Sequence, residues 1–195
     1  MLRRGWDWGP VLMTCGPWRG VRLEVYCARV NDLRIEYNLD KDLQEVSGTV
    51  STVVEGSFQE KAVHYQITLG ATTVFEGSAE ADENGVSKTQ FRISKPELWW
   101  PHGYGEQTLY TIHATVRTNG VDLHTATIET GFRNVELVQD RDDAGRSFFF
   151  RINGVEVFCG GSNWIPADSF TPRITSERYR KWLQMMVDGH QVMIR

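Results

Sequence analysis

Cysteine, N-glycosylation acceptors and long apolar runs are scarce or missing, and each absence excludes something. Three cysteines, Cys15, Cys27 and Cys159, cannot close a disulfide framework. A Cys15–Cys27 bridge stays compatible with the sequence, and free buried thiols are the expected state. No Asn-x-Ser/Thr acceptor occurs, and the two absences together point to a reducing, cytoplasmic (intracellular) setting. No apolar run approaches the roughly 20 residues that would span a bilayer, so no membrane partner is expected. No signal peptide is visible, because Met1-Leu2-Arg3-Arg4 leads straight into an aromatic loop. A domain rarely begins at such a loop, so residues upstream of Met1 are expected. Acids outnumber bases by 25 to 21, giving a net charge of −4, and the two are interspersed. Without a basic stripe, nucleic acid is excluded as the main partner.

Catalytic and metal signatures are missing too. There is no His-Glu-x-x-His, Cys-x-x-Cys, phosphate-binding glycine loop or Gly-x-Ser-x-Gly elbow. His64, His102, His113, His124 and His190 are scattered without ligand spacing. No metal and no cofactor are expected.

What is present is tryptophan, seven in 195 residues, a count compatible with carbohydrate binding and with a plain sandwich core. Two of them bracket a carboxylate in Gly5-Trp6-Asp7-Trp8-Gly9-Pro10, where glycine and proline break regular structure. An indole face can stack on the C–H face of a sugar, and a neighbouring carboxylate accepts from ring hydroxyls. The plainer reading fills a core with the indoles and caps a turn with Asp7. A second unperiodic loop repeats the chemistry: Gly160-Gly161-Ser162-Asn163-Trp164-Ile165-Pro166-Ala167-Asp168. Two such loops suggest one shared pocket. Asp7 and Asp168 are the carboxylates expected there, as hydroxyl acceptors or turn caps before a general acid–base pair.

The patterning between the loops is β. Val21, Leu23, Val25 and Cys27 alternate with polar residues, as do Leu33, Ile35, Tyr37 and Leu39. Further strands are predicted over 46–54, 62–69, 72–75, 88–93, 108–118, 122–130 and 134–138. Asn84-Gly85, Gly103 with Gly105, and Asn119-Gly120 mark turns. Short alternating strands with turns about every ten residues indicate an antiparallel sandwich over roughly 30–132. The first thirty residues read as the last strands of another β domain. Asn153-Gly154 between two apolar runs predicts a two-residue hairpin. Thr175 is a candidate N-cap, and Tyr179, Trp182, Leu183, Met186 and Val187 form one helix face, with Gly189 at the expected C′ position. A strand follows at 191–195, so the end of the chain reads as the opening of a βα repeat.

Six motifs in order carry a family resemblance: residues 5–10; Leu98-Trp99-Trp100-Pro101-His102-Gly103-Tyr104-Gly105; Gly131-Phe132-Arg133; Asn153-Gly154-Val155; residues 162–170; and Val192-Met193-Ile194-Arg195. Together they closely resemble the β-mannosidases of glycoside hydrolase family 2, especially the fungal intracellular type. The resemblance implies a mainly β chain. Residues 1–29 would be the tail of a jelly-roll β domain that binds sugar, 30–137 an immunoglobulin-like β-sandwich, and 138–195 the truncated start of a (β/α)8 barrel. It implies retaining hydrolysis of terminal β-D-mannose from β-mannosides or manno-oligosaccharides by two glutamates on later barrel strands, one usually preceded by Asn. No Asn-Glu dipeptide occurs here, so no catalytic residue is assigned and the chain alone is expected to be inactive. The resemblance also implies a substrate-binding rim. Asp7 accepts from sugar hydroxyls, Trp6 walls the pocket, Asn163 and Trp164 follow the first barrel strand, and Arg195 closes the second. Trp99 and Trp100 are expected to fill a core or seam. The alternative is a stand-alone β-sandwich carbohydrate-binding module, for which an amphipathic helix with nothing to cover would have no use.

Overall fold

The computed structural model describes residues 16, 17, 19–56 and 62–195. They fall into two compact units, one spanning Val25–Phe158 and one containing Cys159–Arg195 together with the start of the chain.

The first unit is a seven-stranded sandwich. Strands β1 (Ala28–Leu39), β2 (Glu45–Gly56) and β5 (Val86–Ser94) form one antiparallel sheet in the order β1-β2-β5. Strands β3 (Ala62–Leu69), β4 (Thr72–Glu80), β6 (Tyr110–Thr118) and β7 (Val121–Thr130) form the other, in the order β4-β3-β6-β7. Period-two alternation puts every second side chain between the sheets. Val46, Val50, Val63, Ile67, Ile112 and Val116 are all fully buried there. This is the immunoglobulin-like arrangement of three strands on four, with strand boundaries close to those read from the alternation.

The centre of the core is Phe132, which is not in a strand. Its ring lies 4.7 Å from Tyr110, 5.0 Å from Tyr37 and 6.0 Å from Phe91. Gly48 on β2 is paired with Tyr37 on one side and Phe91 on the other. A Cβ at Gly48 would run into the Glu36 carbonyl oxygen and sit 2.8 Å from Tyr37 Cα and 2.9 Å from the Phe91 ring. The glycine therefore lets the β1 backbone and the Phe91 ring approach β2 closely.

A buried polar contact crosses the core. Thr52 Oγ1 and the Tyr65 hydroxyl, both buried, lie 2.8 Å apart and join β2 to β3 across the sheets. Burial raises the Tyr65 phenol above the ordinary tyrosine range, and Tyr110 likewise.

Three Asn-Gly pairs take two forms. Asn119-Gly120 and Asn153-Gly154 both have positive φ at each residue, 49° and 76°, then 49° and 80°. They close two-residue hairpins, with Thr118 facing Val121 and Ile152 facing Val155. Asn84-Gly85 instead joins β4 to β5, which belong to different sheets. There only Gly85 has positive φ, and Asp82 Oδ1 holds the turn by accepting from the N–H groups of Asn84 and Val86 at 2.9 Å.

Beyond the sandwich, β8 (Val135–Val138), β11 (Phe149–Ile152) and β12 (Val155–Val157) form a small antiparallel sheet, with a short β9 (Arg141–Asp142) and β10 (Gly145–Arg146) hairpin inserted. The Trp99 motif ties this sheet to the sandwich. Trp99 donates its N–H to Phe132 O at 2.9 Å, packs against Gly131 and lies under the Arg133 guanidinium at 4.6 Å. The half-buried Trp99 fills a seam as expected. Its carbonyl accepts from Asn153 Nδ2 at 3.0 Å, while Asn153 Oδ1 accepts from Asn134 N–H at 2.9 Å. Asn153 is thus a turn residue and a bolt at once.

Two readings are corrected. Residues 21–27, predicted as a half-buried strand, form none: Val21, Leu23 and Val25 are 92–94% exposed, and Cys27 is exposed too. Alternation only marks a strand that finds a neighbouring strand, and residues 21–27 join none of the described sheets. The thiols expected to be buried are not: Cys27 is exposed and Cys159 half-buried, both outside any disulfide, and Cys15 lies outside the described residues.

Phe132→Ala should lower the unfolding free energy by about 3–5 kcal/mol, because one ring serves three aromatic neighbours. Urea unfolding would show it as a lower midpoint at an unchanged slope. The raised phenols set an alkaline limit. The folded state holds these protons more tightly than the unfolded chain, so their stabilisation is complete below about pH 10 and is lost as pH rises beyond it. In a spectrophotometric titration, two of the six tyrosines should ionise only as the sandwich unfolds. Six tyrosines titrating together near pH 10 in the folded state would contradict this burial.

Candidate functional site

The second unit places three predicted rim residues together. Strand β13 (Gly161–Ser162) pairs in parallel with β14 (Met193–Ile194), and α1 (Ser176–Asp188) lies between them in sequence. Parallel strands cannot be joined by a tight turn, and the helix provides the crossover. This is one βαβ unit, and no barrel wall beyond it is visible in the described chain.

Local chemistry fixes the helix. Thr175 accepts from Arg178 N–H at 3.2 Å as the N-cap, and Glu177 lies in the first turn, where acid is favoured. The C-terminus departs from expectation. Gly189 is the C-cap with φ −84°, and the left-handed residue is His190 at φ 54°. Its N–H bonds to Val187 O at 3.0 Å and that of Gln191 to Met186 O at 2.9 Å, which is a Schellman closure shifted one residue past the glycine. No helix residue is fully buried. The apolar face is present but only partly covered.

Asn163 and Trp164 follow β13 directly, and Arg195 follows β14, so all three stand at the carboxyl ends of parallel strands. Ligand sites in α/β folds form at that end. Arg195 Nη1 donates to Asn163 Oδ1 at 3.4 Å, Trp164 N–H to Arg195 O at 2.7 Å, and Arg195 N–H to Ser162 O at 3.1 Å. Ser162 Oγ donates to Gln191 Oε1 at 2.9 Å. With its oxygen taken by arginine, the Asn163 amide presents its NH2 as the available donor.

Trp164 is held by two rings of α1. Its ring is stacked on Tyr179 at 5.9 Å and meets Trp182 edge-on at 5.5 Å. Tyr179 and Trp182 read in the sequence only as a helix face, and their second task of fixing an indole was not legible. Asp168 is a turn cap: Oδ1 accepts from Phe170 N–H at 2.8 Å, with Arg173 Nε 4.0 Å from Oδ2. A cavity of about 590 Å³ opens beside these residues, bounded by Asn163, Trp164, Pro166, Trp182, Met186 and Ile194 among others. Asp7 and Trp6 lie outside the described residues. Among the described residues no cluster of His, Cys, Asp or Glu could hold a metal, and no helix is long and apolar enough to cross a membrane.

Gly161 is the tightest point, since a Cβ there would run into the Met193 carbonyl. Gly161→Ala should open the β13–β14 pair, accelerating amide exchange at Trp164 and Val192. The sandwich, a separate compact unit, should keep its melting temperature. Unchanged exchange at those amides would contradict the pairing.

Known proteins resemble this arrangement. A family model described as Glycosyl hydrolases family 2 matches residues 28–133. Curated Beta-mannosidase B of Aspergillus terreus is 50% identical over 191 residues, covering 98% of this chain and 22% of that protein. Beta-mannosidase B of Aspergillus niger is 50% identical over 193 residues, covering 98% and 23% respectively. The chain therefore spans about a fifth of the length of these relatives. Among solved structures, the beta-D-mannosidase of Dictyoglomus thermophilum matches with a TM-score of 0.86 at 35% identity, over 98% of this chain and 24% of that one. A Parabacteroides merdae beta-glucuronidase shares the fold, with a TM-score of 0.71 at 21% identity over 87% of this chain and 21% of that one. The matched segment is the sandwich whose strands and Phe132 core are described above, it covers more than half of the 195 residues, and the chain belongs to the glycosyl hydrolases of family 2.

Proposed function

We propose that this chain is part of a retaining exo-β-mannosidase, an intracellular enzyme releasing terminal β-D-mannose from β-mannosides, and that it supplies one rim of the sugar site. The observation that carries the reading is the parallel β13–β14 pair, which delivers Asn163 and Arg195 side by side at its carboxyl end. The likeness to Beta-mannosidase B across nearly the whole chain chooses the sugar.

The residues have distinct tasks. The Asn163 NH2 donates to a substrate hydroxyl, in an orientation set by the Arg195 guanidinium on its oxygen. The remaining Arg195 donors and its fixed charge favour the ionised form of a carboxylate brought alongside. Trp164, clamped by Tyr179 and Trp182, serves as a rigid wall. Asp7 accepts from two sugar hydroxyls, and Trp6 walls the same pocket. Retention needs two carboxyl groups about 5–5.5 Å apart. In the family these are glutamates on later strands, and the Asn-Glu signature of one is absent from this sequence. The β13–α1–β14 unit argues against a stand-alone binding module, which needs only its sandwich.

Two measurements test the proposal. The chain by itself should not hydrolyse an aryl β-mannoside. Turnover above a blank that disappears with Asp7→Ala or Asp168→Ala would overturn it. In a full-length enzyme carrying this sequence, Asp7→Asn keeps the shape but removes the charge. It should lower kcat/KM at least about tenfold, roughly 1.4 kcal/mol of transition-state stabilisation, and leave the melting temperature almost unmoved. Normal kcat/KM with a large drop in melting temperature would make Asp7 scaffold instead.

A further inference from the structure

The three Asn-Gly pairs share a chemical weakness to which the fold exposes them unequally. Glycine's backbone nitrogen, unshielded by any Cβ of its own residue, can attack the preceding asparagine's Cγ. The N–Cγ bond forms, the Cγ–Nδ2 bond breaks, and ammonia departs with the proton the glycine nitrogen gives up. Water then opens the resulting succinimide at either carbonyl, leaving aspartate or isoaspartate. The reaction needs solvent, an uncommitted glycine N–H and a main chain able to turn.

Asn153 is shut off from solvent. It is 4% exposed, its Oδ1 accepts from Asn134 N–H and its Nδ2 donates to the Trp99 carbonyl. Asn84 is exposed, but Gly85 behind it is buried. The Gly85 N–H donates to Asp82 O at 3.0 Å, its carbonyl accepts from Val54 N–H at 2.8 Å, and its Cα faces the Val54 carbonyl so closely that no Cβ would fit. Closing a ring there would break both bonds. Asn119 and Gly120 are exposed at the tip of the β6–β7 hairpin, and nothing lies within 4 Å of a Cβ position at Gly120.

We propose that Asn119 is a site of spontaneous modification, converting through a succinimide to aspartate and isoaspartate, while the fold protects Asn84 and Asn153. The product carries a new carboxylate next to the Arg117–Asp122 ion pair. The isoaspartyl form also lengthens the backbone of a turn that must hold Thr118 opposite Val121. Because β7 is an edge strand, the damage frays the hairpin tip and leaves the core intact.

Ageing the intact protein in warm, mildly alkaline buffer tests this. Trypsin releases Asn119 in the peptide 118–133 and Asn84 in 62–88, and fragmentation resolves Asn153 within 152–173. The NH2-to-OH mass gain should appear first on 118–133, severalfold ahead of the other two and split into two chromatographic peaks. In concentrated urea the three sites should converge. Equal or greater conversion at Asn84 or Asn153 in the native protein would overturn the proposal. So would an Asn119 lead that persists undiminished in urea, because neighbouring sequence rather than fold would then set it.

Discussion

One ring organises the sandwich. Phe132 leaves the end of β7 and turns back between the sheets, where Tyr37, Phe91 and Tyr110 surround it. The packing works because Gly48 carries no side chain in the row that Tyr37 and Phe91 share. A close-packed interior has no slack for an added methyl group at that row. The same turn of chain then makes polar contacts: the Tyr37 hydroxyl donates to Gly131 O at 3.1 Å and accepts from Arg133 N–H at 3.3 Å. Apolar burial and hydrogen bonding therefore fix the same three residues, Gly131, Phe132 and Arg133.

From that point the order propagates outward. Phe132 O holds Trp99, Trp99 O holds Asn153, and Asn153 holds Asn134 at the start of β8. Tyr104 in the same motif accepts Phe158 N–H at 3.1 Å, at the far end of β12. Motifs separated by fifty residues of sequence thus form one continuous chain of contacts. None of them needs a ligand to explain it. Trp99 is engaged by this seam on its backbone and on its ring, and the sugar-binding proposal rests on a different set of residues.

That other set depends on a different constraint, the crossover. A helix between β13 and β14 lets the strands run parallel, so that residues 163 and 195 emerge at the same edge. The indole of Trp164 then packs onto the helix instead of standing free, which makes it a wall of fixed orientation. Asp168, chemically as suited to a sugar as Asp7, is already engaged by its own loop. Residue type nominated both carboxylates equally; local geometry makes Asp168 a turn cap, and Asp7 lies outside the described residues.

The alternation of apolar and polar residues by itself determined the strands of the sandwich, because a period of two has no other stable use in a folded chain with a core. Asn119-Gly120 and Asn153-Gly154 likewise specified their turns, since both positions require positive φ. The helix was determined by its face and its Thr175 cap. Tertiary structure decided what depends on partners far away in sequence. It left residues 21–27 outside every described sheet despite perfect alternation, put Asn84-Gly85 between two sheets, and moved the left-handed C-terminal residue from Gly189 to His190. It also chose Phe132, a loop residue with no periodic neighbours, as the centre of the core. Periodicity reports which face a residue would present; only the assembled strands supply the surface against which that face is buried.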